Sequence, residues 1–177
     1  MIPFAPLFVA LTSHLLAVVV LLHAWGIKDK FATMSAGTIF MGFPGMVYIY
    51  VFNSINFGIG VGFLLIALAV LVFARASGAS RLLAVFPATF AIAIYQGMAV
   101  ALAAAFAVQI IAETLRSGKR HIDMARVGLI CAIVILAFLG YGLTQKLALV
   151  FSGLQFTYID QFFDFGYLWQ QPKAVFL

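Results

Sequence analysis

Long apolar runs separated by short polar links dominate the chain from its first residues to about position 144. The first run, Ile2–Trp25, gives way to the link GIKDKFA. The second covers about Thr33–Val51 and stops at the uncharged Asn53-Ser54-Ile55-Asn56, where we expect a turn. A third continues to Ala74 and is followed by RASGASR. A last clear run, Val127 to about Leu143, follows the charged loop Arg116–Arg126. A hydrocarbon core of ~30 Å takes about 20 apolar residues in a helix rising 1.5 Å per residue. The pattern therefore predicts an all-α fold, a polytopic integral membrane helix bundle.

One stretch, residues 82–115, leaves the number of spans open. It is either one long helix or two helices meeting at Tyr95-Gln96-Gly97. With one helix, Arg116, Lys119, Arg120 and Arg126 face the side opposite Lys28, Lys30, Arg75 and Arg81. With two, all eight share one side and only Lys146 and Lys173 lie across, the arrangement that the cytoplasmic excess of Lys and Arg favours. Length pulls the other way. Leu82–Tyr95 as an α-helix covers only ~21 Å, so the turn could instead lie within the membrane as a re-entrant hairpin. The expectation is six spans with both termini outside, or five if 82–115 is a single helix.

Composition narrows the class. Only 8% of residues are charged, against about 25% in soluble domains, so the chain cannot present water-facing surface all round. Its net charge of +5 is dispersed over short gaps between apolar runs, as in cytoplasmic loops, which excludes nucleic acid as a partner. The expected partners are the lipid bilayer and either further copies of the chain or other membrane subunits, in a bacterial inner (plasma) membrane. No basic residue precedes Ile2–Trp25, so this run is expected to be a retained first span rather than a cleaved signal. The lone Cys131 excludes an intramolecular disulfide. Residues 1–144 form the expected bundle, and 145–177 an aromatic interfacial or outer tail.

Candidate chemistry is sparse. His14 and His23 are nine residues apart, on opposite faces of one helix, and cannot clamp a metal or haem together. No metal site or cofactor is expected. His14 lies near the middle of its span, where a polar side chain must face protein or water; it either bonds a neighbouring helix or serves as a pH-sensitive element. Gly58 and Gly62 form a GxxxG, and Ala99, Ala103 and Ala107 repeat the spacing, which allows close helix approach. Pro44 and Pro87 are expected to kink their helices. The other polar groups at membrane depth include Tyr48, Gln96, Gln109 and Tyr141, all neutral; Glu113 sits at a helix end beside Arg116. An ion-driven carrier would bury a carboxylate. No Ser/His/Asp or Cys/His set is spaced for nucleophilic catalysis, so an enzyme is not expected. The tail interleaves Asp160 and Asp164 with Tyr158, Phe162, Phe163, Phe165, Tyr167 and Trp169. Such a composition suits an interfacial anchor or a docking segment.

Six spans in about 180 residues, no buried charge, and the segment GIKDKFATMSAGTIFMG after the first span together resemble the bacterial urea and amide channel family. That resemblance implies a homo-oligomeric ring with one narrow path through each protomer. The first functional expectation is thus a channel or facilitator for a small neutral solute, its path lined by His14, Tyr48, Gln96, Gln109 and Tyr141. The alternative is a non-catalytic subunit of a larger respiratory, photosynthetic or secretion complex.

Overall fold

The computed structural model describes residues 5–42, 53–118 and 123–152. The chain is all-helical, and among the described residues there is no strand. Among the described residues six α-helices follow one another: α1 Ala5–Ala24, α2 Lys30–Gly42, α3 Asn53–Arg75, α4 Val85–Ile94, α5 Met98–Ser117 and α6 Met124–Ser152. Four of them, α1, α3, α5 and α6, are long and apolar enough to cross a membrane. The chain divides into two compact units, Met1–Tyr141 and Gly142–Leu177; the described part of the second is the end of α6.

Within the first unit α3 is the central helix, packed against α1, α4 and α5. The buried positions recur at helical spacing. They are Ile59, Ile66, Val70 and Phe73 on α3, Met98, Leu102, Phe106 and Gln109 on α5, and Ile130, Ile133, Ala137 and Tyr141 on α6. One face of each helix thus meets protein while large apolar side chains such as Phe8, Phe90, Val100 and Leu139 stay exposed, as a bundle solvated by lipid requires. Lipid tails are as apolar as the core, so these helices are held by packing rather than by a hydrophobic gain.

The closest approach is between α1 and α3. A Cβ placed on Gly60 would lie 2.7 Å from both the Cα and the carbonyl oxygen of Ala10. Gly58 and Gly62, the expected contact pair, instead face the side chains of Ile94 and Met98. The backbone contact therefore falls on the middle glycine of GIGVG.

The stretch 82–115 is two helices. α4 ends at Ile94, Tyr95 is extended at φ −156°, ψ 122°, and α5 starts at Met98, whose N–H donates to the Tyr95 carbonyl at 2.9 Å. The length difficulty is resolved by winding. A seven-residue 3-10 helix, Gly78–Ala84, runs directly into the ten residues of α4. With ~2.0 Å of rise per residue in the first part and ~1.5 Å in the second, the combined rod is about 29 Å long.

One local expectation needs correction. Asn53–Asn56 is not a turn but the opening of α3. Pro87 is the third residue of α4; it follows the 3-10 segment closely, where a residue without an N–H costs the α-helix little. Pro44 and Tyr48 lie outside the described residues.

Chain ends of helices are set by local chemistry. The Asp29 carboxylate accepts the N–H of Ala32 at 2.6 Å and caps α2. Asp123 accepts the N–H groups of Ala125 and Arg126 at 3.1 and 3.4 Å and caps α6. Gly26, at φ +72°, turns the chain out of α1, and a Cβ there would also collide with the Arg116 guanidinium.

Candidate functional site

The polar side chains of the described residues gather chiefly at one end of the bundle. Arg75 at the end of α3 is hydrogen-bonded to His23 Nε2 at the end of α1. Arg116 at the end of α5 donates to the carbonyl of Trp25. Arg126, in the first turn of α6, forms an ion pair with Glu113 of α5. Arg81 donates to the Ala76 carbonyl at 3.1 Å and lies 5.3 Å from the ring centre of Phe73. That ring packs edge-on to Phe106 at 5.4 Å. Four arginines from α3, the 3-10 helix, α5 and α6 thus mark the same end, as the two-helix reading of 82–115 requires.

Glu113 is the anionic centre of this end. One of its oxygens accepts from Gln109 Nε2 at 2.9 Å and the other from Arg126. Gln109 is fully buried, one turn deeper in α5, on the stripe that includes Leu102 and Phe106. Asp123 lies 3.7 Å from the Arg126 guanidinium and extends the cluster. The sequence places Glu113 beside Arg116, but the structure gives it to Arg126 and sends Arg116 to α1. The only advance signal was the four-residue step from Gln109 to Glu113, which puts both on one helix face.

The other sequence-derived residues occupy separate neighbourhoods. His14 is completely buried; its Nδ1 donates to the carbonyl of Ala10 at 2.9 Å within its own helix. Its ring lies 5.0 Å from that of Phe63 and 6.0 Å from that of Phe40. Gln96 and Tyr141 are brought together, Gln96 Nε2 donating to the tyrosine hydroxyl at 2.8 Å. They meet beside the start of α5, whereas Gln109 is near its end. Thr38 returns its hydroxyl to the Met34 carbonyl at 2.9 Å.

These features define a helical membrane protein with one arginine-rich end. The sequence profile of the family described as Glucosyl transferase GtrII matches residues 1–175, and the chain belongs to that family. No curated protein and no solved structure matches it.

Membership overturns three expectations. The resemblance to urea and amide channels rested on span number, charge placement and the segment GIKDKFATMSAGTIFMG, which do not single out one family, and it does not hold. The solute-channel reading falls with it, and the family does not favour a subunit of a respiratory, photosynthetic or secretion assembly either. The expectation that the chain is not an enzyme is likewise contradicted, because the family is one of glucosyl transfer. The error has a physical origin. Chemistry at a glycosidic carbon can rest on carboxylates, as in glycoside hydrolysis, so the motifs that were absent were not the ones to seek.

Proposed function

We propose that this protein takes part in glucosyl transfer at the surface of a bacterial inner membrane. The match to the glucosyl transferase family over nearly the whole chain carries the reading, and the four membrane-length helices support the location. In such a transfer the bond from glucose C1 to its leaving group breaks. An acceptor hydroxyl oxygen bonds to C1, and the hydroxyl proton passes to a base.

The five acidic residues of the chain limit where that base can be. Asp29 and Asp123 are occupied as helix caps, and Glu113 is held between Gln109 and Arg126. Asp160 and Asp164, which lie outside the described residues, remain. They alternate with aromatic residues in the segment 158–169, a composition suited to a sugar, whose hydroxyls bond carboxylates while its C–H faces lie on aromatic rings. We assign sugar handling to the tail, 145–177. The excess of Lys and Arg at the arginine-rich end of the bundle supports a cytoplasmic position for that end. His14, Gln109 and the Gln96–Tyr141 pair hold packing roles in this reading.

The test is incorporation of labelled glucose by membranes carrying the chain, supplied with soluble and membrane-borne glucosyl donors. Asp160→Asn or Asp164→Asn should lower transfer by about 10²- to 10⁴-fold if either is the base, with the protein still present and folded. Glu113→Gln should reduce the amount of folded protein rather than the rate per folded molecule. Transfer no higher than in membranes lacking the chain would refute the function. Full activity in both Asp variants would refute the assignment to the tail.

A further inference from the structure

An open groove of about 650 Å³ runs between α1 and α2, walled by Leu15, Val18 and Val19 on one side and by Met34 and Gly37 on the other. Its side-chain donors are spent. Thr33 and Thr38 also line it, but their hydroxyls donate to the carbonyls of Asp29 and Met34, at 2.8 and 2.9 Å. What they offer the groove is methyl surface and an acceptor oxygen each. A sugar or other hydroxyl-rich molecule would leave most of its own polar groups unpaired there, at a cost of several kcal/mol. The lining suits hydrocarbon.

The groove has depth because of glycine. A Cβ on Gly37 or Gly42 would meet nothing within 4 Å, so the wall of α2 is lowered there by the absence of side chains. One helical turn before Thr33 and Met34 stands Lys30, and Lys28 precedes it in the α1–α2 link; both are exposed. Asp29 lies between them, its carboxylate engaged with the N–H of Ala32. An apolar slot that begins beside two ammonium groups suits a molecule with a chain and a single negative head. A zwitterionic head would bring its own cation against the lysines.

The geometry points to a bound anionic phospholipid, one hydrocarbon chain lying in the α1–α2 groove and its phosphate at Lys28 and Lys30. This placement is independent of glucosyl transfer: the groove is lined by α1 and α2 alone, and neither residue of the Glu113–Arg126 ion pair belongs to them. The lipid fills a surface that neither helix can close for itself, and it ties the α1–α2 hairpin to the membrane leaflet on the basic side.

Native mass spectrometry of the full chain, taken from vesicles of phosphatidylglycerol mixed with phosphatidylcholine, tests this. The wild type should retain one phosphatidylglycerol in preference to phosphatidylcholine by about 30-fold, the preference that two lysines near an anionic lipid provide. Gly37→Leu fills the groove where space is open and should lose the lipid. The Lys28→Gln, Lys30→Gln double variant should lose the preference. Gly128→Leu, placed on α6 where a Cβ also meets nothing within 4 Å, should behave as wild type. Equal retention of both lipids, or retention unchanged by Gly37→Leu, would overturn the assignment. A dimer that Gly37→Leu abolishes would give the groove to a second copy of the chain and overturn it as well.

Discussion

Replacing Gly60 by alanine adds a single methyl group where the backbones of α1 and α3 touch. The added Cβ would stand 2.7 Å from the Cα and oxygen of Ala10 and 3.1 Å from its carbonyl carbon. None of these atoms can rotate away, so α1 and α3 must separate. Separation loosens the largest helix–helix contact of the bundle, including the rings of His14 and Phe63 that face each other across it. Overpacking of this kind costs about 1–3 kcal/mol, while the better helix propensity of alanine returns up to about 1 kcal/mol. The expected net loss is about 1–2 kcal/mol. Gly58→Ala and Gly62→Ala are the controls. Their new methyls would meet the Ile94 Cγ2 at 3.0 Å and the Met98 side chain at 3.3 Å. Those are side-chain atoms that can shift, so the propensity gain should leave both variants near neutral. Unfolding of the three proteins in mixed micelles of rising sodium dodecyl sulfate fraction, followed by circular dichroism, gives the comparison. If Gly60→Ala proves as stable as the two controls, the α1–α3 crossing is not at Gly60 and the packing argument is wrong.

Two further outcomes follow from the same contacts. Glu113→Gln and Arg126→Gln should each destabilise by about 1–3 kcal/mol, between the values for exposed and buried pairs, because Glu113 and Arg126 are 20% and 35% exposed. The double variant should lose less than the two losses combined, and strict additivity in the same unfolding assay would show that the pair contributes nothing. Phe73→Ala should cost about 3–5 kcal/mol, since the ring is fully buried between Phe106 and Arg81; a loss below about 1 kcal/mol would mean that lipid or a rearranged α5 takes its place.

Much of the fold was legible because membrane chains obey few rules. Apolar run length located α1, α3 and α6, and charge placement separated α4 from α5 at Tyr95 where hydropathy alone did not. The 3-10 winding of Gly78–Ala84 was not legible, as nothing in GASRLLA opposes an α-helix strongly. Nor was the choice among the glycines of GIGVG. Gly58 and Gly62 lie about 40° apart around the helix and Gly60 nearly opposite, so the answer depends on which face α1 meets. Burial of Gln109 could be inferred from its step beyond Phe106, but its partner Glu113 was assigned to the nearer arginine in sequence. The function was least legible. Span number is shared by many unrelated activities, and two of the five acidic residues sit in an aromatic tail whose composition also suits an interfacial anchor.

The 3-10 helix before α4 means that this rod's length is not fixed by its residue number. Rewinding its seven residues to α geometry would draw the rod in by about 3.5 Å, comparable with the thickness differences among cellular membranes. A thin bilayer and a thick one therefore favour different windings of the same residues. The segment from Gly78 to Ile94 is, in effect, an adjustable strut, and Arg81 rides on the part that adjusts.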